Sequence, residues 1–285
     1  MEHPKPIEKT IYFTNQSAKI AGNYLKLSRY EKSIMIGNRK SREKDEEKEI
    51  EKYESEKLTK EEIRKKSLQR AKQKIFDLVY ANAWHWKKRN GKPYLPIFIT
   101  FTFRKNIDEL DYANKKFRDF IRRFGYSIRG KETFLKYLTV VEFQERGAIH
   151  FHTVFFNLPF VDRIYDKTLE MWRQCVGEGS VRIESVYSEL GIIIYLSEYL
   201  TKSINDDRLG GRKSYFASKG LKKPITISFE ELVNVIRAKI PAELKGRQRI
   251  YESEFLRQIE TYEYDLKYYP DIVEFIHTEI IDKYL

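Results

Sequence analysis

The sequence predicts an α+β protein in which helices pack against an antiparallel sheet. Three observations carry this. Ile97-Phe98-Ile99-Thr100-Phe101-Thr102-Phe103 is a β-branched and aromatic run, the composition of a strand. Residues 134–144 and 148–156 are two more such runs, separated by the turn dipeptide Arg146-Gly147, which makes a hairpin. Helical apolar spacing fills the gaps: Leu110, Phe117, Phe120, Ile121 and Phe124 share one side of a helix over 108–124. A further helix runs through Leu169 and Trp172 and ends near Gly177 and Gly179, residues 180–187 form a fourth strand, and 192–203 form the helix after it. The order βαββαβ is that of a ferredoxin-like sandwich.

Around this core, spanning residues 93–224, the pattern predicts a charged helical extension over 1–92 and a helical region over 225–285. Residues 41–70 are dominated by Glu, Lys and Arg, the composition of a solvated helix. An apolar stripe then appears at Ile75, Phe76, Leu78, Val79, Ala83 and Trp86, so the end of that helix docks, and Gly91 and Pro93 stop it. From Glu231 onward eleven acids stand against eight bases, which makes this tail a poor surface for a polyanion.

The 285 residues carry a formal charge of +12, so a polyanionic partner is expected. The single cysteine, Cys175, excludes an internal disulfide and suits a reducing, cytoplasmic setting. No run approaches the ~20 apolar residues of a membrane span, and residues 1–20 lack a continuous apolar signal core. The expectation is a soluble cytoplasmic protein with no membrane partner.

Two constellations carry chemistry. In the strand 148–156, alternation puts His150 and His152 on one face, with Val154 and Phe156. The preceding strand presents Leu138, Val140, Glu142 and Gln144 on one face. A turn centred on Gly147 sets Glu142 opposite His152 and Gln144 opposite His150. Two imidazoles and a carboxylate suit a divalent cation such as Mn²⁺, and Mg²⁺ less naturally. Glu142 is the preferred third ligand, as the stronger donor to a hard cation, with Gln144 the alternative.

The second constellation is Tyr195-Leu196-Ser197-Glu198-Tyr199-Leu200-Thr201-Lys202. Tyr195 and Tyr199 are i,i+4, and Tyr199 and Lys202 are i,i+3, so all three lie along one helix face. A phenol oxygen can attack phosphorus, and Lys202 can hold the phosphate or draw the phenol pKa down. Downstream, Arg208, Arg212, Lys213, Lys219, Lys222 and Lys223 occur in an acid-free, glycine-containing stretch that can track phosphates.

With these residues in view, the chain resembles the HUH endonucleases, specifically the rolling-circle replication initiators of plasmids and single-stranded-DNA phages. The resemblance runs roughly from Arg70 to Pro224. It rests on Ile99 to Phe103, on Glu142-Phe143-Gln144-Glu145-Arg146-Gly147-Ala148-Ile149-His150-Phe151-His152, on Tyr195 to Lys202 in the manner of the two-tyrosine form, and on Ser218 to Pro224. It implies metal-dependent, site-specific nicking of single-stranded or hairpin origin DNA, a 5′-phosphotyrosyl intermediate, and rejoining. The two-tyrosine form often reads Tyr-x-x-Lys twice, but here Glu198 follows Tyr195, so Tyr199 with Lys202 is the first choice of nucleophile. No phosphate-binding Gly-x-x-x-x-Gly-Lys-Ser/Thr stretch occurs, so unwinding is expected from a separate helicase alongside a replication polymerase. The alternatives are an HUH transposase or mobilisation relaxase, and a non-catalytic nucleic-acid-binding module.

Overall fold

The computed structural model describes residues 12–36, 59–129, 135–144, 147–159, 162–204, 206–209, 212–253 and 255–285. In chain order the strands and helices are β1 (Tyr12–Ala21), β2 (Tyr24–Ile36), α1 (Lys60–Asn82), β3 (Ile97–Phe103), α2 (Leu110–Arg129), β4 (Tyr137–Phe143) and β5 (Ile149–Phe155). They continue with α3 (Ile164–Val176), β6 (Gly179–Ser185), α4 (Glu189–Ile204), β7 (Tyr215–Ala217), β8 (Ile225–Ile227), α5 (Glu230–Ala238), β9 (Arg247–Ser253), β10 (Arg257–Asp265) and α6 (Pro270–Phe275). The chain divides into a unit of residues 59–222 and a unit joining 1–58 to 223–285.

The 59–222 unit is built on an antiparallel sheet in the order β6-β3-β5-β4-β7. β3 to α4 follow the βαββαβ order read from the sequence. Alternation along the strands gives the sheet two different faces. Odd-numbered side chains, among them Ile99, Phe101, Val141, Ile149 and Phe151, meet Phe117, Phe120 and Phe124 of α2 and Trp172 of α3. Even-numbered side chains, Phe98, Leu138, Val140 and Val154, meet Ile75, Leu78 and Val79 of α1 and Ile192, Leu196 and Leu200 of α4. Full burial of each large apolar side chain contributes about 1.5–3 kcal/mol, so both helix layers are anchored by packing.

The helix ends follow local chemistry. Thr59 and Glu62 form a capping box at the start of α1. That helix ends at Asn82, well before Gly91 and Pro93: the Asn82 side-chain amide donates to the Leu78 and Lys222 carbonyls, and Trp84 takes φ 63°. Gly91 and Pro93 instead shape a small hairpin, in which Lys87 bridges Pro93 and the Tyr94 N–H donates to the Trp86 carbonyl.

The second unit corrects the expectation of helical extensions. Its antiparallel sheet has the order β8-β1-β2-β10-β9, with Ala18, Ile20, Leu25 and Leu27 packed on Leu232, Val233 and Ile236 of α5 and on Ile272 of α6. Residues 225–285 therefore hold three strands as well as helices. The acids and bases of β9 and β10 look like a solvated helix in composition, yet they pair across strands, as Arg249 does with Glu263. Residues 37–58, most of the charged segment expected to be helical, lie outside the described residues.

Candidate metal and tyrosine site

The β4–β5 hairpin closes earlier than the sequence reading placed it. The Gln144 N–H donates to the Ala148 carbonyl and the Gly147 N–H to the Gln144 carbonyl, so Gly147, at φ +96°, ends the loop rather than centring it. The register therefore sets Glu142 opposite His150 and Val140 opposite His152. The shift is two residues, which preserves the face. Glu142 reaches diagonally instead: its Oε2 lies 2.8 Å from His152 Nε2 and 4.0 Å from His150 Nδ1.

One donor atom from each of Glu142, His150 and His152 lies within 4.8 Å of the other two, and all three residues are buried. A buried carboxylate beside two imidazoles is a donor set that fits a divalent cation. The surroundings orient it. Thr100, directly across from His152 on β3, places its hydroxyl 3.2 Å from His152 Nδ1, and the Gln144 amide nitrogen lies 3.2 Å from His150 Nδ1. Gln144 thus touches a histidine of the cluster rather than completing it. Burial pushes the His152 pKa below its ordinary value, against the hydrogen bond to Glu142, and so favours the neutral imidazole that a metal requires. Burial pushes Glu142 upward, but the His152 hydrogen bond and the positive potential from His152, Lys202 and His150 outweigh it, leaving the carboxyl below its ordinary value.

Helix α4 lies over this cluster because Ile192, Leu196 and Leu200 recur on one side and bury against the sheet. Ser188 caps its start by accepting from the Gly191 N–H at 3.1 Å. Near its end the buried Ser203 hydroxyl donates to the Val141 carbonyl, fixing the helix to β4 next to Glu142. Tyr195 and Tyr199 flank the buried stripe with ring centroids 4.9 Å apart. The Tyr199 ring stacks on His152, centroids 3.4 Å apart and planes 10° from parallel. Tyr195 turns away: its ring packs edge-on against Phe98 at 4.3 Å, and its hydroxyl donates to Glu184 at 3.2 Å.

Lys202 Nζ lies 3.8 Å from Glu142, 3.4 Å from Glu198 and 5.2 Å from the centroid of the Tyr199 ring. Glu198, the departure from a doubled Tyr-x-x-Lys, thus pairs with the one lysine that is there. The expectation that Lys202 draws the phenol pKa down is not met. Burial first, then the Tyr195 hydroxyl and the Glu142 and Glu198 carboxylates, push Tyr199 well above the ordinary phenol value.

The basic stretch is more structured than the sequence reading made it. β7 lies within it and pairs with β4. Arg208 binds Asp206 through two nitrogens, donates to the Gly147 carbonyl at 3.0 Å and sits 4.5 Å from the Phe143 ring centre, bracing the hairpin that carries the cluster. Arg212 pairs with Asp111 at 2.7 Å. Lys213, Lys219, Lys222 and Lys223 are exposed, and Lys223 begins the second unit. Thr100 and Glu184 are polar partners that the sequence reading missed. The parity of Thr100 in its strand placed it on the right face, but that β3 neighbours β5 is not encoded locally.

Residues 96–204 match the family model for the ORF2 type of replication-associated protein. The match spans β3 through α4, so it contains Glu142, His150, His152, Tyr195, Tyr199 and Lys202, and it supports a rolling-circle Rep-like protein. No curated protein and no solved structure matches the chain. No described helix is long and apolar enough to cross a membrane.

Proposed function

We propose that this chain nicks and rejoins single-stranded DNA at an origin hairpin or strand, initiating rolling-circle replication of a plasmid or phage. On this reading residues 93–224 are a ferredoxin-like HUH core, and the sheet order β6-β3-β5-β4 supports it. The observation that carries the reading is the stacking of Tyr199 on His152, which puts a nucleophile of the right kind directly on the metal-binding cluster.

Glu142, His150 and His152 would hold the divalent cation, Mn²⁺ or Mg²⁺, which when bound polarises the scissile phosphate and stabilises the charge that develops on it. Tyr199 Oη attacks phosphorus. The Tyr O–P bond forms as the P–O3′ bond breaks, one proton leaves the phenol and one arrives at the departing 3′-oxygen. The products are a 5′-phosphotyrosine and a free 3′-OH, and attack by a 3′-OH reverses the step. Lys202, already beside Glu142 and the Tyr199 ring, supplies positive charge to the phosphate oxygens. Tyr195, held by Glu184, is placed for a second transfer after release of that hydrogen bond. Helicase and polymerase remain separate partners, and Arg208 and Arg212 have brace contacts to give up before they could touch DNA.

The test is an SDS-stable adduct between the full chain and labelled single-stranded DNA from its replicon in Mn²⁺. Wild type should form it, chelation should abolish it, and Tyr199→Phe should reduce it to background while Tyr195→Phe retains the first cleavage. An adduct lost only in Tyr195→Phe would reverse the tyrosine assignment. DNA binding that survives metal removal, with no adduct under any of these conditions, would make the chain a binding module.

A further inference from the structure

Three segments of the 59–222 unit meet at the end of the sheet away from the metal cluster. The first is the small hairpin after α1, Trp84-His85-Trp86-Lys87-Lys88-Arg89-Asn90-Gly91-Lys92-Pro93-Tyr94. The second is Lys136, just before β4. The third is the turn Ser218-Lys219-Gly220-Leu221-Lys222. They are joined by specific contacts. Lys136 Nζ sits 5.3 Å from the centre of the Trp86 ring and donates to the Lys219 carbonyl at 2.9 Å. The Ser218 hydroxyl accepts from the Tyr137 N–H at 3.0 Å. Asn82, at the end of α1, donates to the Lys222 carbonyl and accepts the Lys222 N–H, both at 2.9 Å.

The resulting surface is cationic throughout. Lys87, Lys88, Arg89 and Lys92 are exposed on the hairpin, with Lys219 and Lys222 exposed on the turn. Residues 83–95, 135–137 and 218–222 contain no aspartate or glutamate. None of these lysines, nor Arg89, makes an ion pair with a described residue. Arg208 and Arg212, by contrast, are both matched to carboxylates. Clustering like charge without acids works against the fold, so a surface of this kind calls for an anionic partner. Exposed His85 and the half-buried Trp84 and Trp86 alternate with the cations, the pattern by which single strands are held through backbone and base faces together.

We propose that this surface is a platform for the sugar–phosphate backbone of single-stranded DNA leading away from the tyrosine site. The proposal rests on the nicking reading for its choice of a single strand. The hairpin and the turn lie outside residues 96–204, so the family likeness does not supply them. Lys136 is six residues from Glu142 along the same strand, about 20 Å at roughly 3.3 Å per residue. That span is about six backbone steps at ~3.4 Å each, so only a DNA longer than this beyond the cut reaches the platform.

The experiment is anisotropy titration of the full chain with labelled oligothymidylates of about 6 and about 20 nucleotides, over a range of salt. The Lys87→Gln/Lys88→Gln/Arg89→Gln variant should bind the long probe about tenfold more weakly, and its salt slope should fall by about 2, at ~0.7 per lost phosphate contact on a single strand. Binding of the short probe should be nearly unchanged. Lys115→Gln/Arg118→Gln/Arg123→Gln, the same charge change on the exposed side of α2, should leave both probes unaffected. Equal losses in the two variants would mean a net-charge effect and overturn the platform, as would an unchanged slope or a loss seen only with a duplex of the same length. Binding is read without metal or cleavage. A missing adduct in wild type would sink the nicking reading, and a null result here would sink the platform alone.

Discussion

The two faces of the sheet β6-β3-β5-β4-β7 come from the same strands and hold opposite chemistry. On the odd face Phe151 is fully buried among aromatic rings, 4.7 Å from Phe117. One residue to either side, His150 and His152 turn to the even face and meet Glu142. The odd face is filled by α2 and α3 with apolar side chains. The even face is filled only where Ile192, Leu196 and Leu200 reach it, and beyond them Tyr199 and Lys202 cover a polar cluster. The contrast separates two duties: one face supplies the rigidity that lets the other keep charged and polar groups at fixed spacing.

Neighbouring residues of one strand should therefore fail in different ways. Phe151→Ala removes a fully buried ring and should cost about 3–5 kcal/mol of stability, read as a large fall in the thermal or denaturant midpoint. His150→Ala should cost no more than about 1–2 kcal/mol yet abolish metal-dependent nicking while DNA affinity persists. If His150→Ala unfolds the chain as severely as Phe151→Ala, the division between the faces is wrong. If it keeps full activity, the ligand assignment is wrong.

A subtler pair uses one residue type on both faces. Thr100 meets His152 Nδ1 on the even face, whereas Thr139 meets the Thr153 hydroxyl at 3.0 Å on the odd face. Partners that orient a ligating histidine typically matter by 10–100-fold in metal affinity, so Thr100→Val should weaken Mn²⁺ binding by about that factor in calorimetric titration. Thr139→Val should leave Mn²⁺ affinity alone and change stability by about 1 kcal/mol. Equal effects on the metal would show that the cluster is held by the sheet as a whole rather than by its own neighbours.

Most of the core was legible because its signals are local. The alternation in Ile97–Phe103, the spacing of Phe117, Phe120 and Phe124, and the i,i+4 tyrosines each need only a few residues to read. What failed to read was non-local. The partner strand of β3 decides that Thr100 faces His152, and nothing near Thr100 encodes it. In the second unit, β1 and β2 mix polar and apolar residues, and β10 pairs with β2 from more than two hundred residues away. One cue was available there: Gly22-Asn23 between Ala21 and Tyr24 is a two-residue hairpin signature, with Gly22 at φ +56°. The charges of β9 and β10 misled for a physical reason, since cross-strand ion pairs and solvated helices draw on the same residues.

The smallest expected effect tests how the two faces are kept in step. The β4–β5 register decides which residues oppose each other, and it is set by a loop ending at Gly147, at φ +96°, where Arg208 Nη1 would lie 3.1 Å from an added Cβ. Gly147→Ala should cost about 1–2 kcal/mol, from the backbone conformation and from displacing Arg208. The hydrophobic pattern resists a one-residue slip, because such a slip would send Phe151 to the metal face and His150 and His152 into the aromatic core. The variant should therefore keep its register, its Mn²⁺ affinity and its adduct while losing a few degrees of thermal stability. Loss of metal binding at unchanged stability would mean instead that the loop, and not the burial of Phe151, holds the histidines on their face.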